Sequence, residues 1–135
     1  MDIFVFGSNL AGRHGKGAAL HARQHWGAQY GVGRGLTGRA YAFPTKDERL
    51  RPLPVEQLAR EARLLDECAH LHQQHRFLLT PVGCGLAGNA PGVMAGIINL
   101  YVVQPNIVLT NSWREHLSEK EIQKTGMPIL QKIEV

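Results

Sequence analysis

Two glycine-rich stretches carry the residue types best suited to chemistry on an anion. Residues 7–17 (GSNLAGRHGKG) follow one short apolar run, and residues 83–88 (GCGLAG) follow another. Glycine lets a backbone approach a ligand closely, and N–H groups that open a helix point toward negative charge. The chemistry this suits is the cradling of phosphate. Residues 83–88 also have the G-x-G-x-x-G spacing of dinucleotide-binding loops. That function requires an acidic residue about 20 positions further on, to hold a ribose hydroxyl. Counting from Gly85 reaches Gln104, Pro105 and Asn106 instead. The other G-x-G-x-x-G, residues 33–38, precedes a strand rather than a helix. Residues 7–14 are not a Walker A loop, because Arg13 and His14 stand where Lys and Ser/Thr would grip phosphate and magnesium.

The elements that must position these loops can be read from periodicity. Residues 2–6 are a short apolar run consistent with a buried strand ending at Gly7. Ala18, Ala22 and Trp26 recur on one helical face, and Gly27 stops that helix. Residues 31–38 read as a second loop, and residues 39–43 as a strand ending at Pro44. The strongest helical pattern spans residues 55–72, with Val55, Leu58, Ala59, Ala62, Leu65 and Ala69 as its stripe and Pro54 at its start. A strand over 76–80, a helix over 91–102 and a strand over 106–110 complete a β-α-β-α-β-α-β alternation, which implies an α/β sheet covered by helices. In the tail, Ser112 with Glu115 and Ser118 with Glu121 both have capping-box spacing, so two short helices are expected. Gly126 can close the second, and residues 129–133 form a candidate edge strand.

Composition narrows the function. The chain has 135 residues, 44% of them hydrophobic, and its apolar runs of about five residues fall far short of the ~20 that span a bilayer. Asp2 stands where a signal peptide would carry basic residues. Cys68 and Cys84 lie apart with no CxxC pairing, which suits a reducing cytosol rather than a disulfide scaffold or a zinc ribbon. A soluble cytoplasmic protein is therefore expected. A formal charge of +4 favours anionic ligands, while the lack of clustered Lys and Arg disfavours extended nucleic-acid binding. His21 with His25, and His70, His72 and His75, invite a metal reading. Zinc would need a third ligand and a suitable geometry, there is no H-E-x-x-H, and both groups lie on elements that read as structural, so no metal is expected. The Cys84 thiol has no identifiable base partner and reads as packing.

Three segments in a particular order resemble the macrodomain superfamily, and within it the branch of DarG-type antitoxins and terminal ADP-ribose glycohydrolases. They are GKGAALHARQHWG (15–27), YAFPTK (41–46) and PVGCGLAG (81–88). The resemblance covers about residues 2–110. It implies a compact three-layer α/β/α fold with a mixed central sheet, in which 1–135 form a single domain and 111–135 are an extension packed on the core. It further implies a site for ADP-ribose, or a related nucleotide-diphosphate-ribose, with the diphosphate held between the two glycine loops and no cofactor. The residues expected to line it are Gly7, Ser8, Asn9, Gly15, Lys16, Gly17, Thr45, Gly83, Cys84, Gly85, Leu86, Ala87 and Gly88. Asp2, near the first strand, stands where such domains often read adenine.

Activity in that branch is associated with a lysine after the second strand and an acid in the later glycine loop. Lys46 matches the lysine. The acid position falls at Ala87, and no carboxylate occurs between Glu67 and Glu115. Breaking a bond to a ribose anomeric carbon requires an acid, base or nucleophile beside it. The candidates are Lys46, Asp47 and His14, with His21 more remote. The open alternatives are hydrolysis of an ADP-ribosyl linkage or a terminal phosphate, non-catalytic sequestration of an ADP-ribose-type signalling nucleotide, and a basic nucleic-acid-associated domain. The expected partner is an ADP-ribose-like small molecule or an ADP-ribosylated macromolecule. Nucleic acid enters only as a modified substrate, and no membrane is involved.

Overall fold

The apolar run near the N-terminus becomes the centre of the sheet. The structure is a computed structural model that describes residues 1–85 and 88–131. β1 (Asp2–Asn9) pairs in parallel with β3 (Ala40–Lys46) on one side and β4 (Arg76–Leu79) on the other. A parallel strand covered on both faces has no solvated side, which is why Ile3, Phe4, Val5 and Phe6 are all apolar without alternation. β5 (Ile107–Leu109) extends the sheet in parallel beyond β4, and β2 (Gly35–Thr37) closes the other edge antiparallel to β3. The order is β2-β3-β1-β4-β5, a mixed sheet in an α/β protein.

Alternate residues of β1 and β3 feed two cores, and β4 and β5 add to the larger one. Ile3, Val5, Tyr41, Phe43, Phe77 and Leu79 pack against α2 (Val55–Leu71) and α3 (Pro91–Tyr101). On the opposite face, Phe4, Phe6, Ala40 and Ala42 meet Ala19 and Ala22 of α1 (Gly17–His25). Trp26, just past α1, stacks on Phe4 with ring centroids 5.2 Å apart. The stripe expected on α2 is buried at Leu58, Ala59, Ala62, Leu65 and Ala69, while Val55 is exposed. Asn106 caps the far end of α2: its Nδ2 donates to the carbonyls of Ala69, His72 and His75, the first two of which also accept the His72 and His75 N–H groups.

Several boundaries differ from expectation, each for a tertiary reason. β1 continues through Gly7 and Ser8 to Asn9, so these three residues end a strand rather than open a loop. β3 likewise runs on through Pro44 to Lys46. Proline lacks an N–H, but β2 pairs only as far as Ala42, so Pro44 has no neighbour to serve on that side. β2 itself lies within residues read as a loop; three residues become a strand by pairing with β3. Gly12 shows why the first loop needs glycine. Its φ is 72°, and a Cβ there would collide with the backbone of Gly31, whose N–H donates to the Gly12 carbonyl at 2.8 Å.

The tail packs on the larger core through Trp113, Leu117 and Ile122, and the Trp113 indole donates to the Leu79 carbonyl at 2.8 Å. Residues Asn111–Glu115 form a 3₁₀ turn, and α4 spans Glu119–Lys124. The Ser118–Glu121 capping box forms in both directions, and Gly126 follows α4 with φ 67°. The Ser112–Glu115 box does not form, because the Ser112 hydroxyl pairs with Thr110 Oγ1 at 2.6 Å. Ile129 bridges Leu109 in parallel, with main-chain bonds of 2.9 Å on either side. The rest of that expected strand, at Lys132 and Ile133, lies outside the described residues. Among the described residues no helix is long and apolar enough to cross a membrane.

Candidate functional site

The parallel strands β1, β3 and β4 all end at one rim, and a cleft of about 520 Å³ opens there. Its place follows from the topology. The chain leaves β1 for α1 on one face of the sheet and leaves β4 for α3 on the other, so the outgoing segments part and leave a crevice between them. Gly7, Ser8 and Asn9 form its floor, and Gly15, Lys16, Gly17, Ala18 and Ala19 one wall. Thr45, Lys46 and Leu50 line it from β3 and the turn that follows, and Pro81, Val82, Gly83 and Gly85 from the loop after β4.

Several main-chain donors belong to the lining residues. The first turn of α1 has no side-chain cap and no acidic residue, and the N–H groups of Gly17, Ala18 and Ala19 donate to nothing among the described residues. Gly83 and Gly85 N–H are likewise without an acceptor among the described residues. An anion placed there would meet donors from two sides, one of them a helix N-terminus. The N-terminus of α3 does not share this role, since Ala90 and Pro91 lie outside the lining.

The polar side chains at the strand end have local partners. Ser8 Oγ is buried and donates to the Gly33 carbonyl. Asn9 Oδ1 accepts the Arg13 N–H at 3.0 Å and its Nδ2 donates to the Arg13 carbonyl at 2.9 Å, a reciprocal pair that fixes the start of the loop. Thr45 Oγ1 donates to the Ser8 carbonyl at 3.3 Å. These side chains shape the cleft, and its free polarity comes from backbone N–H groups and from the cations Arg13, Lys16 and Lys46. No carboxylate is among the described lining residues.

Two catalytic candidates are displaced from the cleft. Asp47 caps a turn: its carboxylate accepts the Arg49 and Arg51 N–H groups at 2.9 Å each and Arg51 Nε at 3.2 Å. The Arg51 and Arg49 N–H bonds, joined by the Arg51 guanidinium, hold its pKa below the usual carboxylate range. His14 turns inward and is fully buried, edge-on to Phe6 with ring centroids 5.2 Å apart and 6.1 Å from the Tyr30 ring. Among the described residues neither ring nitrogen meets hydrogen-bond geometry, although the Val32 backbone lies close enough to favour the protonated form. Burial outweighs Val32, and with the nearby Arg23 charge it lowers the His14 pKa. An imidazole packed in that apolar site cannot reach a ligand in the cleft. His21 is held away on α1, tilted against Phe4 and His25.

Cys84 and Gly88 also fall outside the lining. The loop after β4 coils on itself: Cys84 N–H donates to the Pro81 carbonyl at 3.2 Å and Gly88 N–H to the Gly85 carbonyl at 3.0 Å, so neither is free for a phosphate. The Cys84 thiol contacts the Val82 carbonyl at 3.6 Å, and burial pushes its pKa up to about 11. Leu86 and Ala87 lie outside the described residues. Asp2 is at the wrong end of its strand. Seven steps of ~3.3 Å separate it from Asn9, and its carboxylate is paired with Arg76 by two bonds of 3.0 Å.

The sequence reading missed Arg13 as a wall residue, together with Ala18, Ala19, Leu50, Pro81 and Val82. A cation one step past an obligatory glycine was the available signal for Arg13; Leu50 offered none. Among the described residues no group of three or more His, Cys, Asp and Glu could hold a metal ion. Compared with known proteins, the chain matches no protein-family model, no curated protein and no solved structure.

Proposed function

We propose that this cleft binds ADP-ribose or a closely related nucleotide-diphosphate-ribose, and that the protein acts as a binder of that ligand. The observation that carries the reading is the convergence of two sets of unpartnered main-chain N–H groups, Gly17–Ala19 and Gly83 with Gly85, on one cleft that also holds Arg13, Lys16 and Lys46. A diphosphate is satisfied by such donors without a metal ion. The absence of a carboxylate among the described lining residues removes the repulsion an anion would otherwise meet. A volume of about 520 Å³ lies within the range of small-molecule sites, ~300–1,000 Å³. Helices on both faces of a mixed sheet, with β1 central and the cleft at its carboxyl end, agree with the macrodomain-like three-layer architecture that the sequence motifs suggest.

One observation favours a second reading, hydrolysis of an ADP-ribosyl linkage. Lys46 lines the cleft, as the resemblance would require of a reactive lysine. The test is calorimetric titration of the full chain with ADP-ribose in the presence of a chelator, followed by turnover assays on ADP-ribosylated protein and DNA. Saturable chelator-insensitive binding without turnover supports the binder. Turnover supports the hydrolase, and absence of ADP-ribose binding rejects both.

A further inference from the structure

Leu50 breaks the rule of its own turn. Asp47 N–H donates to the Arg51 carbonyl at 2.8 Å and Leu50 N–H to the Asp47 carbonyl at 3.1 Å, while the Asp47 side chain ties down the Arg49 and Arg51 N–H groups. Aspartate at the first position is ideal for such a turn, and the residue that closes it in left-handed backbone is normally glycine or asparagine. Here it is leucine, at φ 62°, the one non-glycine residue with positive φ among those described. The Cβ of an L-residue crowds the neighbouring carbonyl in that conformation. Core packing does not offset this, because Leu50 is 40% exposed and belongs to neither hydrophobic cluster. It lines the cleft, next to Lys46.

A bulky apolar side chain, held in an unfavourable backbone by an otherwise well-formed turn and facing a ligand cleft, is the kind of local violation that marks a functional position. The cleft has ample donors for phosphate, yet a nucleotide-diphosphate-ribose also presents ring faces that require apolar contact. Among the described lining residues none is aromatic, and Leu50 is the largest exposed apolar side chain. We infer that Leu50 is a ligand-contact residue that packs on a ribose or base ring of the bound nucleotide and so discriminates nucleotides from simple phosphates. This rests on the function proposed for the cleft.

The test compares the wild-type chain with Leu50→Gly, Leu50→Asn and Leu50→Met by calorimetric titration with ADP-ribose and ADP, and by thermal melting. Gly and Asn suit the left-handed backbone, so Tm should hold or rise by about 3 °C. Affinity for ADP-ribose should fall about fivefold in both, from loss of the apolar contact, and Met should restore it. A matching loss for ADP assigns the contact to the nucleoside half, and a loss for ADP-ribose alone assigns it to the distal ribose. Unchanged affinity in the Gly and Asn variants overturns the inference, as does a fall of several degrees in Tm, which would make Leu50 a structural residue. Failure of Met to rescue overturns it too. A wild-type chain that does not bind ADP-ribose is a different failure, which rejects the proposed function and this contact with it.

Discussion

Replacing Gly85 by valine separates binding from folding at a single position. Gly85 lines the cleft, is exposed, has a φ outside the left-handed region, and would carry a Cβ with no atom of the described residues beyond its chain neighbours within 4 Å. A side chain there therefore meets no steric barrier at its Cβ among the described residues. By restricting the unfolded chain it should leave stability unchanged or raise it by up to ~1 kcal/mol. Binding is another matter, because the valine methyls would occupy the space through which an anion reaches the Gly83 and Gly85 N–H groups. A hydrogen bond to a charged group contributes ~1.5–3 kcal/mol, so loss of two costs ~3–6 kcal/mol, or ~10²–10⁴-fold in Kd. Gly85→Ala, with one methyl, should lose about tenfold. Calorimetric titration with ADP-ribose gives the affinity, and a thermal melt gives the stability. A Gly85→Val Kd within threefold of wild type would refute the account of main-chain anion binding. A Tm several degrees lower would refute the claim that this glycine is dispensable for folding.

Other substitutions probe the cation, the buried histidine and the tail. Lys46→Ala should weaken ADP-ribose binding about fivefold, the ~1 kcal/mol of a near-surface charge pair, while Lys46→Arg should stay within about twofold by calorimetry. Should wild type show turnover, loss of it in the Arg variant with binding intact would assign Lys46 a chemical role. For His14, the folded pKa lies below the ordinary 6.5, so the unfolded chain takes up the proton first as pH falls. Stability measured in denaturant should be constant above about pH 6.5 and decline below it. His14→Phe should reduce that slope without abolishing it, because His21, lowered by burial and by His25, contributes the same sign. Trp113→Ala should cost ~3–5 kcal/mol by thermal or denaturant unfolding, since it empties a fully buried site and leaves the Leu79 carbonyl unpaired.

What could be read from the sequence was what is decided locally. The α2 stripe, the apolar runs of β4 and β5, and the glycines that bring backbone to a ligand all declare themselves within a few residues. The alternation of elements then implied an α/β sheet, and the two glycine loops, each leaving a parallel strand, were bound to meet at its carboxyl rim. Features settled by distant partners were not visible. β2 exists because Gly35, Leu36 and Thr37 find Ala42, Tyr41 and Ala40 across the sheet edge. His14 has the sequence neighbours of a loop residue, and only the fold places it against Phe6 and Tyr30. The Asp47 carboxylate was available on paper but is engaged by Arg49 and Arg51. Leu50 carries no periodicity and no motif; its backbone angle, the feature that singles it out, has no trace in the residue name.

The remaining question is whether a cleft built in this way would also accelerate a reaction. Main-chain donors and three cations around a diphosphate stabilise charge that the ligand carries before, during and after any bond cleavage. Stabilisation that is equal in the ground and transition states tightens binding and leaves the rate of the chemical step unchanged. Cleavage at an anomeric carbon calls for a group whose interaction grows as the leaving oxygen departs or as water attacks. Asp47 is held in its turn, His14 faces an aromatic pocket, and Cys84 lies outside the cleft with its thiol pushed up to about 11. Ala87, whatever its placement, has no carboxyl to offer. Lys16 and Lys46 stand in the cleft, and an ammonium ion can stabilise a departing oxygen but cannot take a proton from attacking water. A cleft able to stabilise one half of a hydrolysis, with no base for the other among its described lining residues, favours retention of the ligand over its turnover, which supports the proposed binder.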